Sequence, residues 1–242
     1  MTDIDNKKPK TGGKPKAGGP PTTFSMPMYR QFVPKFIRPW IYLLLAFCFQ
    51  FANGMYLGAM NDVVGEWSLM RGDVQMCLYA TLIGMALYFP VLFRMKFRFT
   101  NKSLLMVSAA VIVVCNLLAT IKMPLPALWA LCVVCGMAKI QGTFECMSNI
   151  QLWMTPKRDF GVFFPILHIV LLTSIEGAGY LAAWFAYHMH WTYMHWFVIL
   201  LMLIVLLVQA LLTKPFRAMP QIVPLKGLDW FGALLWIAFW LQ

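Results

Sequence analysis

Trp196-Phe-Val-Ile-Leu-Leu-Met-Leu-Ile-Val-Leu-Leu-Val-Gln-Ala-Leu-Leu-Thr213 holds one amide and no charge. A helix rises ~1.5 Å per residue, so this run covers most of a hydrocarbon layer ~30 Å thick. It does not alternate with a period of two, as a barrel strand would. Working outward, apolar runs of the same kind recur at about 39–60, 74–93, 103–121, 126–153 and 161–187, with this one at 195–213 and a further one from 229. Over all 242 residues, 60% are hydrophobic, 12% are charged and the mean hydropathy is +0.68. Soluble domains run nearer ~45–50% apolar and ~25% charged. The sequence therefore predicts an all-α polytopic membrane protein. A soluble enzyme, a nucleic-acid-binding protein and a disordered chain are excluded on the same ground.

The net charge of +11 is a matter of topology. Of the Lys and Arg residues, 17 fall before the first span or in every second loop, and 2 fall on the other side. Only Lys139 lies inside a span. Such a bias predicts a cytoplasmic N-terminus and an integral protein of the cell (inner) membrane, with no nucleic-acid stripe. Residues 1–36, rich in Lys, Pro and Gly, read as a disordered basic tail that leans on anionic lipid or stays solvated. Residues 37–213 read as a six-helix bundle, 214–228 as a cytoplasmic linker and 229–242 as a truncated seventh helix. The last run, Asp229 to Gln242, is shorter than the ~20 residues a span needs, so the chain is expected to be the first part of a longer protein.

The six cysteines lie in or beside apolar runs and read as small core residues. Cys132-Val-Val-Cys135 has redox-motif spacing without a second ligand pair in sequence. His188, His190 and His195 cluster near Trp191, Tyr193, Trp196 and Phe197. No acidic residue accompanies these histidines in sequence, so an interfacial aromatic belt is expected there and no metal site. Nothing in the pattern calls for a cofactor.

Polar groups concentrate in the first, fourth and fifth spans, while the third and sixth read as lipid-facing scaffold. The fourth span holds Lys139, Gln141, Glu145, Ser148, Asn149 and Gln151. A charge at the bilayer centre costs at least ~2.5–3.5 kcal/mol, so such residues face a bundle interior or a wet cavity. Gln141, Glu145 and Asn149 share one face at i, i+4, i+8. Lys139 lies about 120° away from Glu145, so the two cannot pair within the helix. The fifth span offers a stripe of Thr173, Glu176, Tyr180 and Trp184, with Gly177 and Gly179 beside it. Depths counted along the two helices predict the cross-helix pairs Lys139–Glu176 and Glu145–His168. Such pairs pin two helices together, or else one carboxylate takes up protons or contacts solute. In the first span Gln50, Asn53, Gly54 and Asn61 share a face, where amides line a cavity or glue helices together.

The basic loop Arg94-Met-Lys-Phe-Arg-Phe-Thr-Asn-Lys-Ser-Leu-Leu105 resembles the loop motif of the major facilitator superfamily, Gly-x-x-x-Asp-Arg-x-Gly-Arg-Arg. It keeps basic residues at Arg98 and Lys102 and the closing Leu105, with Arg94 and Lys96 beside them. Its glycine and aspartate positions fall on Phe93, Phe97 and Thr100. Trp191–Phe197, Gly227–Leu235 and Thr155–Arg158 are similar to stretches of the fourteen-helix drug:proton antiporters. In that alignment the acidic residue of the family's first helix falls on Asn53 and the arginine of its fourth near Cys132. Its Gly-Pro motif shrinks to Gly177-Ala-Gly179.

This resemblance implies a secondary transporter working by alternating access. The present chain would be its N-terminal bundle, with a further C-terminal bundle as partner. A small drug-like or metabolite solute would be exported in exchange for protons. With the family's usual coupling residues altered, Lys139, Glu145 and Glu176 become this chain's own candidates. Two other readings compete. A transport-inactive membrane interaction or sensor protein fits the eroded motifs. A membrane-embedded enzyme would need a Gly-x-Ser and His pair, which the sequence lacks, or several histidine clusters, of which it has one.

Overall fold

The computed structural model describes residues 29, 33–34, 36–52, 58–154, 161, 163–215 and 229–240. Among them the chain is all-helical, apart from one isolated antiparallel bridge between Tyr29 and Thr213. The helices are α1 (Arg38–Phe51), α2 (Met60–Trp67), α3 (Arg71–Arg98), α4 (Asn101–Ala119), α5 (Leu125–Met154), α6 (Phe163–His188), α7 (Tyr193–Leu212) and α8 (Trp230–Trp240). Five of them, α3 to α7, are long and apolar enough to cross a membrane, and α1 is apolar but shorter. These are the helices of a multi-pass membrane protein.

Local chemistry sets the ends. The Asp73 carboxylate accepts the Met70 N–H at 3.0 Å and starts α3. Thr100 caps α4 by accepting the Ser103 N–H at 3.2 Å. Pro124 and Pro126 open α5, where missing donors are tolerated. At the other end of α7, Lys102 donates to the carbonyls of Ala210 and Thr213, both at 3.2 Å, satisfying orphan acceptors. The expected basic loop is mostly helix. Arg94, Lys96 and Arg98 stand in the closing turns of α3, and Lys102 in the first turn of α4.

The expected first span, 39–60, holds α1 and the first residue of α2, with 53–57 outside the described residues. Beyond it, α2 buries Val63 and Trp67 and packs on α3, where the sequence reading had a loop. Tyr29 and Val33 are buried as well. Arg38 donates to the Val33 carbonyl at 3.1 and 3.0 Å, and Tyr29 donates to the Arg38 carbonyl at 2.6 Å.

The bundle is built around α5, which packs on α3, α4 and α1. Glycines make two of these approaches possible. A Cβ on Gly84 would lie 2.1 Å from the Val133 carbonyl oxygen, and one on Gly136 2.1 Å from that of Thr81, so α3 and α5 touch backbone to backbone. A Cβ on Gly142 would lie 2.2 Å from the Phe49 ring of α1. The expected scaffold role of the third span does not hold. That span is α4, which packs on both α5 and α7 and buries Asn116 against His195, Oδ1 to Nδ1 at 3.1 Å.

Candidate functional site

The polar groups of α5 form a buried column. Lys139, Gln141, Glu145 and Asn149 are each at most 3% exposed. The Gln141 amide donates to Glu145 Oε1 at 3.2 Å, as their i, i+4 spacing predicts. Five buried polar atoms of α5 have no hydrogen-bond partner among the described residues: Lys139 Nζ, Gln141 Oε1, Thr143 Oγ1, Glu145 Oε2 and Asn149 Nδ2. Buried polar atoms are usually satisfied, so five on one helix mark a place built for something polar.

The cation that acts on Glu145 is Lys96 of α3. Its ammonium donates to Ser148 Oγ and sits 4.9 Å from the centroid of the Phe144 ring. Ser148 in turn donates to the Glu145 carbonyl at 3.1 Å. Tyr88 of α3 and Tyr42 of α1 lie within electrostatic reach of Glu145, and Tyr42 accepts the Asn101 amide at 3.0 Å. Gln50 is buried on α1, the helix that covers α5 at Gly142. The column is thus closed by residues of α1, α3 and α4. From sequence Lys96 belongs to the basic cytoplasmic loop, whereas it stands in α3 against Ser148 of α5. The signal was its place six residues after Pro90, still inside the long apolar run of α3.

Neither predicted cross-helix pair forms. His168 is exposed on α6, and its Nδ1 lies 2.9 Å from the Phe164 carbonyl of its own helix. Glu176 is exposed as well, at the midpoint of α6. The reason is packing. α1 stands between α5 and α6, so those two helices barely meet. The face of α6 that packs inward is small: Val170, Ser174, Ala178 and Ala182 are buried. A Cβ on Gly58 would lie 2.4 Å from the Gly179 carbonyl oxygen, which shows how close that approach is. Thr173, Glu176, Tyr180 and Trp184 form an exposed stripe that turns away from the bundle. Asn53 and Gly54 lie outside the described residues, as do Lys157 and Arg158.

The three histidines near Trp191 separate. His195 is buried beside Asn116, His190 Nε2 lies 3.1 Å from Glu66 Oε2, and His188 stacks on Trp184 at 4.9 Å. Glu66 is the acidic neighbour that the sequence did not reveal. Trp191 is 2% exposed, donates to Glu66 and meets Trp67 edge to face at 5.3 Å, so it is a core residue and not part of a belt. Tyr193 and Trp196 remain exposed. No protein-family model and no curated protein matches this chain.

Proposed function

We propose that this protein is one bundle of a secondary active transporter that moves a small solute by alternating access. The observation that carries the reading is the column on α5. A multi-pass helical bundle places a carboxylate, a lysine and three amide or hydroxyl side chains in its interior and leaves several of their polar atoms without partners. Groups this costly in a membrane mark solute and ion paths. Glu145, with Lys96 close enough to compensate it, is the proton-carrying group in this reading; Lys139, Gln141 and Asn149 contact solute. Glu176 has a different part. It stands at mid-helix on a face that nothing among the described residues covers, where lipid would be a poor solvent for it. A second helical bundle packs there and supplies its partner.

The reading is tested with the protein reconstituted in proteoliposomes enclosing a pH-sensitive dye. Amphipathic solutes added outside should move protons, and Glu145→Gln should abolish that movement while the protein still folds. Solute-driven proton movement unchanged in Glu145→Gln would sink the assignment. No movement with any solute tried would favour the interaction or sensor reading, which the outward stripe of α6 also suits.

A further inference from the structure

Pro90 stands inside α3. It has no N–H, so the carbonyl of Ala86, four residues back, lacks its helical donor. The donor comes from another helix. The Trp236 indole of α8 donates to the Ala86 oxygen at 3.1 Å, and its ring stacks on Phe89 at 5.4 Å. From there, ring contacts lead to α5. Phe89 meets Phe93 edge to face at 6.1 Å, and Phe93 meets Phe144 of α5 edge to face at 4.9 Å. Phe144 is the ring that faces the Lys96 ammonium, which also donates to Ser148. The seam between α3 and α8 is not close-packed. A cavity of about 360 Å³ lies there, bounded by Pro90 and Arg94 on one side and by Asp229 and Trp236 on the other.

We propose that Trp236 is a positioning residue for Lys96: seated on the Pro90 turn, it holds the end of α3 against α5 and ties the Lys96 contacts to the docking of α8. Coupling between two places needs an element with two arrangements. That element is the Pro90 turn, with the Ala86 carbonyl either held by Trp236 or released. Lys96 lies six residues beyond Pro90, ~9 Å along the helix. A bend of ~20°, the lower end for a proline kink, carries it ~3 Å sideways. A hydrogen bond to Ser148 does not survive such a shift. Lys96 and Ser148 join α3 to the turn of α5 that carries Glu145, since Ser148 donates to the Glu145 carbonyl at 3.1 Å. The position of α8 therefore sets whether the cation stands beside the carboxylate. That consequence for proton movement rests on the transport reading of Glu145, whereas the placement of Lys96 does not.

Two measurements on the full chain in detergent test the placement. The first is hydrogen exchange by mass spectrometry. In Trp236→Ala, amides of residues 91–98 should exchange about tenfold faster, as expected for one lost hydrogen bond, with α7 unchanged. Leu234→Ala, on the exposed far side of α8, should leave both as they are. The second is cross-linking of Lys96→Cys with Ser148→Cys, which reads the distance between the two positions directly. Adding Trp236→Ala should slow the cross-link about tenfold, and Trp236→Phe, which keeps the ring on Phe89 and loses the indole donor, should slow it less. Unchanged exchange over 91–98, an equal effect from Leu234→Ala, or a cross-link indifferent to residue 236 would each overturn the proposal. In proteoliposomes, Trp236→Ala should reduce solute-driven proton movement as Lys96→Met does, and the two together should do no more than either alone. Additive losses there, with the exchange and cross-linking results as expected, would count against the transport role of Lys96 and leave its placement by Trp236 standing.

Discussion

Helices α5 and α6 each carry one acidic residue in a long apolar sequence, and their carboxylates end in opposite surroundings. Glu145 is 1% exposed, walled in from three helices, whereas Glu176 faces out of the bundle. Polarity does not explain the difference, since both helices carry a comparable stripe. Small residues do. α5 can be approached on more than one side, with Gly136 admitting α3 and Gly142 admitting α1. α6 has one narrow seam, Ser174, Ala178 and Ala182 at i, i+4, i+8, packed on α1. A helix in a bundle buries its polar groups only if its small residues let neighbours close around them.

The largest effect should come from breaking that rule on α5. Gly136→Leu would drive a side chain into the backbone of α3, where even a Cβ meets the Thr81 carbonyl at 2.1 Å. Overpacking of this kind costs ~3 kcal/mol or more when the neighbour is backbone. Gly179→Leu on α6 is the control, because a Cβ there meets nothing within 4 Å and the change should stay within ~0.5 kcal/mol. Thermal unfolding in detergent, followed by circular dichroism, compares the two. Equal melting temperatures would remove the packing explanation for the contrast.

This contrast also shows what could be read from the chain. The class and most span positions follow from hydropathy, because lipid leaves few ways to satisfy a backbone. The Gln141–Glu145 contact follows from helical spacing alone. Cross-helix partners did not follow. Counting depth along two helices says which residues are level, but not whether a third helix stands between them, as α1 does. One sign was present. Glu176 lies two residues from both Ser174 and Ala178, so at ~100° per residue it points away from the small seam. Gly177 and Gly179 flank that seam, with Gly177 beside the Phe51 ring of α1 and the Gly179 carbonyl close to Gly58, while Glu176 turns the other way. The pairing of Glu66 with Trp191 joins residues from distant segments, and no spacing rule reports it.

A smaller effect tests whether the buried polar contacts away from the column carry the same weight. Asn116→Ala removes the amide oxygen 3.1 Å from His195 Nδ1, between α4 and α7. Stranding one member of a buried hydrogen-bonded pair costs ~1–3 kcal/mol. His168→Ala, at an exposed histidine that among the described residues bonds within α6, should change stability by less than ~0.5 kcal/mol. Chemical unfolding of the two variants ranks them. If His168→Ala proves the more damaging, α6 is covered in the isolated chain by something other than α1.

The smallest effect concerns how α1 is held between the two helices. Tyr29 anchors its start through the 2.6 Å bond to the Arg38 carbonyl and meets Tyr42 edge to face at 5.5 Å. Burial, with the neighbouring Tyr42 and Cys146 adding to it and Arg38 opposing, pushes the Tyr29 phenol far above its ordinary range. The sign follows from linkage. Below the phenol's unfolded value of ~10 both states keep the proton, and the anchor contributes in full. Above it the unfolded chain ionises and the native chain does not, so stability falls by up to ~1.4 kcal/mol per pH unit. Tyr29→Phe should cost ~1 kcal/mol at neutral pH, for the lost hydrogen bond. Its stability should then decline less steeply than that of the parent above pH ~10, because the phenol that ionises is gone. Unfolding midpoints of both proteins between neutral and strongly alkaline pH should therefore converge. Parallel curves over that range would mean that Tyr29 does not hold α1 in place, and that the position of α1 between α5 and α6 rests on its glycine contacts alone.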